Sequence, residues 1–131
     1  MSGDVWYLDT SAFLKLVRRE RHTAALRRHL DGRVVVSSDL LRTEVLRAAL
    51  RQGASSVARV RDLLGRMTLV RCDIPVFDAA GELPAPTLRS LDALHLAAAL
   101  ALDDDLAGIV TYDQRLADAA HRVGVAVSAP T

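Results

Sequence analysis

The sequence contains one cysteine, Cys72, and this scarcity excludes a disulfide within the chain. A lone thiol is typical of a reducing compartment, so a cytoplasmic protein is expected. No basic segment followed by an apolar one opens the chain, so no secretory signal peptide is predicted. The longest apolar run, residues 94–102, is too short to cross a bilayer and contains a histidine, so no membrane association is expected.

Aromatic residues are also scarce, at 4% of the chain, whereas half of its 131 residues are apolar. The core must therefore be aliphatic, and this much apolar side chain suffices for a stable domain. The sequence shows no repeats, low-complexity stretches or linkers. We therefore predict one domain over residues 1–131.

Basic charge is supplied almost entirely by arginine, because Lys15 is the only lysine among seventeen basic residues. Residues 15–66 contain thirteen basic and five acidic residues, whereas residues 67–131 contain four and nine. Arginine suits bidentate contact with phosphate, so the first segment could bind nucleic acid. It could equally be a solvated surface that reflects composition, and the charge pattern alone does not decide between them.

Strand-like apolar runs alternate with helical periodicity along the whole chain. The predicted strands are residues 4–8, 34–36, 68–72, 108–111 and 125–127, and the predicted helices are residues 11–18, 23–30, 40–51, 54–66, 75–83, 90–102 and 113–123. The apolar strand 34–36 is predicted to be covered on both faces. Helix-capping roles are predicted for Ser37, Ser38, Asp39 and Ser90. The alternation predicts an α/β fold with helices on both faces of a parallel sheet.

Two aspartates follow predicted strands, and in parallel sheets ligands bind beyond the carboxyl ends of the strands, where the strand order reverses. Asp9 follows the first strand, and Asp113 follows the fourth in the segment IVTYD. If these strands are neighbours, the two carboxylates meet. Each aspartate could also simply cap the helix that follows it.

Two further acids occupy helices in positions that need an explanation. Asp92 lies in the first turn of a helix, where an anion is favoured, but this helix is apolar on nearly every side and should bury the carboxylate. Glu44 lies inside the apolar stripe of its helix, whereas Arg42 and Arg47 take the outer faces. A glutamate on the core face requires a partner.

Four carboxylates that converge would raise one another's pKa, and a divalent cation is the usual counter-charge. The chain offers only oxygen ligands, without a histidine pair or cysteine cluster at metal-binding spacing, so the ion is predicted to be Mg²⁺ or Mn²⁺. Mg²⁺ commonly combines a few carboxylates with a substrate phosphate, which suggests cleavage of phosphodiesters. Ser11 could orient Asp9 or hold a water molecule, or be an ordinary turn hydroxyl.

The segments around the four acids resemble the motifs of PIN-domain ribonucleases, and within that family those of VapC toxins. The segments are DTSAFLKL at Asp9, RTEVLRA at Glu44, SLDALHLAAAL at Asp92 and VTYDQRLADAA at Asp113. The resemblance covers essentially the whole chain. It implies a PIN-like three-layer α/β/α sandwich with a five-stranded parallel sheet. It also implies a Mg²⁺- or Mn²⁺-dependent endoribonuclease that is the toxin of a type II toxin–antitoxin pair, a homodimer within a larger assembly, and inhibition by a VapB-type antitoxin.

The resemblance also assigns roles to individual residues. The family's acidic quartet corresponds to Asp9, Glu44, Asp92 and Asp113, and its associated hydroxyl to Ser11. Asp9 and Asp92 are expected to bind the principal ion, and the other two acids to complete its shell through water or to serve a second ion. Water activated in this way would attack phosphorus and leave a 5′-phosphate. The residues expected to hold the RNA backbone are Arg42, Arg47 and Arg51.

Several alternatives remain at this point. His95, one turn after Asp92, could bond to that acid or touch substrate, but a core histidine is favoured. A phosphotransfer receiver domain needs a lysine at a late strand end, and a haloacid-dehalogenase-type phosphatase needs Asp-x-Asp, so both are disfavoured. Two hypotheses stay open: a PIN nuclease acting on DNA or flap structures, and a non-catalytic module that grips a partner through the acidic pocket.

Overall fold

The computed structural model describes residues 3–131, so the first two residues of the predicted domain lie outside the described part. Within residues 3–131, five strands form one sheet: β1 (Val5–Leu8), β2 (Val34–Ser38), β3 (Thr68–Val70), β4 (Leu106–Val110) and β5 (Val127–Ser128). The same residues form seven α-helices: α1 (Thr10–Val17), α2 (Thr23–Leu30), α3 (Leu40–Leu50), α4 (Ala54–Gly65), α5 (Ile74–Gly81), α6 (Ser90–Leu100) and α7 (Gln114–Arg122). A short 3₁₀ helix, Asp103–Asp105, precedes β4.

All strand pairs are parallel, and the strand order is β3-β2-β1-β4-β5. The chain therefore builds outward from β1 in one direction through β2 and β3, and then in the other through β4 and β5. The order reverses between β1 and β4, which pair with Leu8 opposite Val110. The strands before Asp9 and Asp113 are therefore neighbours, which is the condition under which the two carboxylates were expected to meet.

Two apolar cores cover the two faces of the sheet, because successive residues of a strand point to opposite sides. Tyr7 and Ile109 pack with side chains of α5, α6 and α7. Leu8 and Val110 pack with side chains of α1, α2, α3 and α4. The predicted α/β/α sandwich with a five-stranded parallel sheet is confirmed. Among the described residues, no helix has the length and apolar character needed to cross a membrane.

Several local predictions are corrected by the structure. Ser37 and Ser38 belong to β2 rather than to a helix cap, because their main chains continue the ladder with β3. Asp39 precedes α3 without capping it, since its carboxylate accepts from the backbone N–H of Cys72 (3.1 Å). Ser90 lies inside α6 and does not cap it. The first residue of β2, Val34, is 52% exposed, so this strand is not covered along its whole length.

Candidate active site

The candidate active site lies where the chain leaves the carboxyl ends of β1 and β4. Asp9 follows β1 directly, and its backbone N–H donates to the carbonyl of Val110, the last residue of β4 (3.2 Å). Asp113 follows β4 by three residues and begins α7. The sheet therefore brings two segments together that are about a hundred residues apart in sequence.

Asp9 is buried, with 3% of its surface exposed, and both of its carboxylate oxygens accept hydrogen bonds. Oδ1 accepts from the Ser11 hydroxyl (2.7 Å) and from the backbone N–H of Ala12 (2.9 Å), and Oδ2 accepts from the Thr111 hydroxyl (2.5 Å). Burial raises the pKa of Asp9, and these three hydrogen bonds oppose that effect because they favour the ionised form. Asp9 therefore caps α1 and also lies in the acidic site, so the two interpretations of this residue are compatible.

Ser11 and Thr111 form a hydroxyl bridge between the two chain segments. Ser11 Oγ donates to Asp9 and accepts from the backbone N–H of Tyr112 (2.9 Å). Thr111, 1% exposed, donates to Asp9 and accepts from the backbone N–H of Asp113 (3.0 Å). The structure thus places Ser11 where it can orient Asp9. The equivalent role of Thr111 was missed by sequence reasoning, although its position at a strand end, two residues before an aspartate, was a usable signal.

Glu44 extends from α3 toward the same end of the sheet, and its side chain is 21% exposed. Its Oε1 lies 2.6 Å from Nε2 of His95, a residue of α6. His95 is buried, and its other ring nitrogen lies 2.6 Å from the hydroxyl of Tyr7. The expected burial of His95 is therefore met, but its carboxylate partner is Glu44 rather than Asp92, because the ring crosses from α6 toward α3.

Asp92 lies in the first turn of α6 and is half-buried, as its apolar surroundings predicted. Its pKa is raised first by burial and next by the negative charge of Asp113, with smaller contributions from Asp9 and Glu44 in the same direction. His95 acts in the opposite sense and lowers the pKa. Asp92 therefore lies within electrostatic reach of the other three acids.

Asp113 also combines two roles. Its Oδ1 accepts from the backbone N–H groups of Arg115 (2.9 Å) and Leu116 (3.2 Å), so it caps α7. It is nevertheless only partly buried, and its charge reaches Asp92. The cap uses Oδ1 alone and leaves Oδ2 without a hydrogen bond among residues 3–131.

A family model described as the PIN domain matches residues 6–122. The chain belongs to the PIN-domain family. Ribonuclease VapC46 of Mycobacterium tuberculosis (strain ATCC 25618 / H37Rv) is 48% identical over 126 residues, which cover 95% of this chain and 97% of the relative. Ribonuclease VapC47 of Mycobacterium tuberculosis (strain CDC 1551 / Oshkosh) is 38% identical over 130 residues, which cover 95% and 96%. The resemblance to PIN domains, and among them to VapC proteins, is thus confirmed.

A solved structure has the same fold at much lower sequence identity. It is the crystal structure of VapBC2 from Rickettsia felis bound to a DNA fragment from their promoter. Its matching chain aligns with a TM-score of 0.73 at 14% identity, over 95% of this chain and 97% of the other. At that identity the likeness supports the PIN fold of this chain and nothing finer.

The donors of this PIN domain fit a hard divalent cation in their chemistry. All four acids and both bridging hydroxyls offer oxygen, the ligand that Mg²⁺ and Mn²⁺ prefer. Burial is the first cause of the raised pKa of Asp92, and the negative charge of the neighbouring acids, which such a cation would offset, adds to it. Within residues 3–131, however, no three His, Cys, Asp or Glu side chains lie close enough together, as they stand, to hold an ion. Reorientation of side chains would have to accompany cation binding.

The three arginines expected to hold RNA are exposed and lie on or just after α3. Arg47 and Arg51 follow Glu44 by three and seven residues, so they lie on the same side of the helix as the acid; the assignment of Arg47 to a face apart from Glu44 is therefore corrected. Arg42 precedes Glu44 by two residues and points away from that side. The arrangement supports a phosphate-contacting role for Arg47 and Arg51 better than for Arg42.

Proposed function

We propose that this protein is the toxin of a type II toxin–antitoxin pair and an endoribonuclease that depends on Mg²⁺ or Mn²⁺. The observation that carries the proposal is that Asp92 lies within electrostatic reach of Asp9, Glu44 and Asp113 at the reversal of strand order, in a chain whose full-length relatives are named ribonucleases. A single carboxylate at this place would be explained as a helix cap. Four carboxylates at one end of the sheet, with the pKa of one raised by burial and by the other three, are the arrangement expected of a site built for a cation and a phosphodiester.

The residues that would hold the cation are Asp9, Asp92, Asp113 and Glu44. The chemistry that Mg²⁺ or Mn²⁺ supplies when bound is acidification of water and neutralisation of charge on the phosphate. Ser11 and Thr111 keep the Asp9 carboxylate in one orientation through hydrogen bonds to its two oxygens. Arg47 and Arg51 would bind backbone phosphates beside Glu44, and the Asp113 side chain, fixed by its cap, borders the opening of the site.

The proposal includes inhibition by a VapB-type antitoxin. Beside the acidic site lies a cavity of about 390 Å³ whose lining runs from Ser11 and Tyr112 to residues of α1, α3 and α4. The lining combines aliphatic side chains from the three helices with three charged ones, Lys15, Arg18 and Glu20. An antitoxin segment could place apolar side chains in this cavity and an arginine against the carboxylates, which would block RNA. An excess of the cognate antitoxin should then stop cleavage, and the toxin should behave as a homodimer in solution.

A second candidate is a non-catalytic PIN module that binds a partner through its acidic pocket. The observation that favours it is that three of the four acids already satisfy hydrogen bonds within the protein. Incubation of a mixed RNA pool with purified protein, with Mg²⁺, with Mn²⁺ or with chelator, separates the candidates. Cuts that require the metal and disappear in Asp9→Asn support the nuclease. Identical behaviour of wild type and variant under all conditions supports the binding module.

A further inference from the structure

A line of buried polar side chains runs beneath the acidic site from Glu44 to the interior of the sheet. Nε2 of His95 lies 2.6 Å from Glu44 Oε1, and Nδ1 lies 2.6 Å from the Tyr7 hydroxyl. That hydroxyl donates to Oγ of Ser38 (2.8 Å). Tyr7, Ser38 and His95 are each at most 1% exposed, so the line is shielded from water.

The chemistry of the groups determines the direction of the contact with Glu44. A carboxylate can only accept, so Nε2 must carry the proton that it shares with Oε1. The Tyr7 hydroxyl has one proton: while it donates to Ser38 it accepts from a protonated Nδ1 and the ring is charged, and it donates to a neutral ring only if Ser38 in turn donates to it. The Nε2–H contact to Glu44 therefore forms with a neutral or a charged imidazole. Nε2 also lies 3.2 Å from the Thr10 hydroxyl, a second and longer contact.

The surroundings of His95 leave its ring little freedom. The Tyr7 ring packs edge-on against it, with centroids 5.7 Å apart and planes at 68°. Glu44 has no comparable support of its own: among residues 3–131, His95 is its one side-chain hydrogen-bond partner, and Oε2 accepts none. A glutamate side chain without partners samples many rotamers. A hydrogen bond that fixes Oε1 restricts those rotamers and thereby also restricts the position of Oε2.

We propose that His95 is a positioning residue that holds Glu44 by its Oε1, so that Oε2 is presented to the cation and substrate. The inference rests on the proposed function. The positioning role differs from a packing role because His95 acts through one atom, Nε2, on one partner, Glu44. Polar groups that orient ligands of a metal commonly contribute about 10- to 100-fold to affinity or activity.

Two amide substitutions distinguish the two nitrogens of the ring. His95→Gln can place its amide nitrogen near the position of Nε2, whereas His95→Asn reaches only the position of Nδ1. Both remove the ring, so they share any loss of packing. His95→Asn combined with Glu44→Gln tests whether the effect passes through the carboxylate.

The readouts are Mn²⁺ affinity, measured from the electron paramagnetic resonance signal of free Mn²⁺, together with kcat and KM for RNA cleavage and the unfolding temperature without metal. His95→Asn should weaken Mn²⁺ binding and lower kcat by about 10- to 100-fold, while His95→Gln stays within about threefold of wild type. In the Glu44→Gln background, His95→Asn should cause no additional loss. Equal losses in the two amide variants, or equal losses with and without Glu44, would overturn the inference.

A second measurement avoids substitution at His95. The Nε2–H proton of His95 should be visible by nuclear magnetic resonance in histidine-labelled protein and should shift in Glu44→Gln but not in Asp92→Asn. A signal unchanged in Glu44→Gln overturns the inference. If Asp9→Asn and Glu44→Gln abolish cleavage while His95→Asn keeps kcat and Mn²⁺ affinity within about threefold of wild type, only the inference fails. If wild type neither binds Mn²⁺ nor cleaves RNA, the proposed function fails with it.

Discussion

Replacement of Thr111 by valine would remove the hydroxyl that joins Asp9 to Asp113 while it keeps the shape of the side chain. The hydroxyl donates to Oδ2 of Asp9 at 2.5 Å and accepts from the backbone N–H of Asp113 at 3.0 Å. Both contacts are sheltered, since Thr111 is 1% exposed. The valine variant therefore leaves a carboxylate oxygen without this donor and an amide without this acceptor.

The size of the effect follows from these two contacts. A hydrogen bond to a charged group contributes about 1.5–3 kcal/mol, and an unmatched buried amide costs about 1–3 kcal/mol. The contacts share one hydroxyl and are not independent, so we expect Thr111→Val to lower the free energy of unfolding by about 2–4 kcal/mol at pH 7. For a domain of this length the unfolding temperature should fall by roughly 8–15 °C.

The effect should also depend on pH. Burial raises the pKa of Asp9 and the Thr111 hydrogen bond opposes this, so loss of the hydroxyl raises that pKa further. An acid whose pKa is raised in the folded protein destabilises the fold when ionised, and this effect is absent below its ordinary pKa of 3.8. The stability difference between Thr111→Val and wild type should therefore narrow as the pH falls from 7 toward about 4.

The assay is urea unfolding followed by circular dichroism, with Thr111→Ser as the matched control that keeps the hydroxyl. The serine variant loses only a methyl group and should lose about 1 kcal/mol. If the valine and serine variants unfold within about 0.5 kcal/mol of each other at pH 7, the hydrogen bonds assigned to Thr111 do not support Asp9 as described.

Three further predictions concern other parts of the molecule. Asp92→Asn should abolish cleavage but raise the unfolding temperature of metal-free protein at pH 7 by roughly 3–5 °C, because burial and neighbouring acids disfavour the ionised form of Asp92. A lower unfolding temperature in the variant would contradict this electrostatic argument. Arg47→Ala should raise KM for RNA and reduce the salt-dependence slope of binding by about 0.7, whereas Arg122→Ala on α7 should change neither. Gly108→Ala should lower the free energy of unfolding in urea by about 1–3 kcal/mol, since an added Cβ would lie 2.7 Å from a carbonyl oxygen and from a tryptophan ring. Gly81→Ala, with open space around it, is the control, and equal stability of the two variants would refute the steric argument.

Most of the architecture was predictable from the sequence because hydrophobic periodicity reports burial directly. The predicted helix 23–30 has the observed bounds, whereas the sequence left open whether β1 and β4 are neighbours, because no local pattern reports the pairing of distant strands. Prediction failed where a polar residue had two possible local roles. Ser37 and Ser38 suit helix caps in sequence, but buried partners draw them into β2: Ser37 donates to the carbonyl of Leu8, and Ser38 accepts from Tyr7.

The acidic site was predictable in membership but not in its hydrogen bonds. Glu44 could be singled out because a charged residue in an apolar stripe requires a partner. Its partner, His95, could not be identified, because the two residues are 51 positions apart and the packing of α3 and α6 depends on the whole sheet. A still larger separation, 102 positions, hid the contact between Thr111 and Asp9.

The most direct test of the central claim is the rate of RNA cleavage against Mg²⁺ concentration for wild type, Asp9→Asn and Asp4→Asn. Asp4 is a matched control because it is exposed and precedes β1, whereas Asp9 is buried and follows the same strand. The account predicts Mg²⁺-dependent cleavage by wild type and Asp4→Asn, and its loss in Asp9→Asn with the fold intact by circular dichroism. Cleavage that persists in Asp9→Asn, or that does not respond to Mg²⁺ or Mn²⁺, would contradict it.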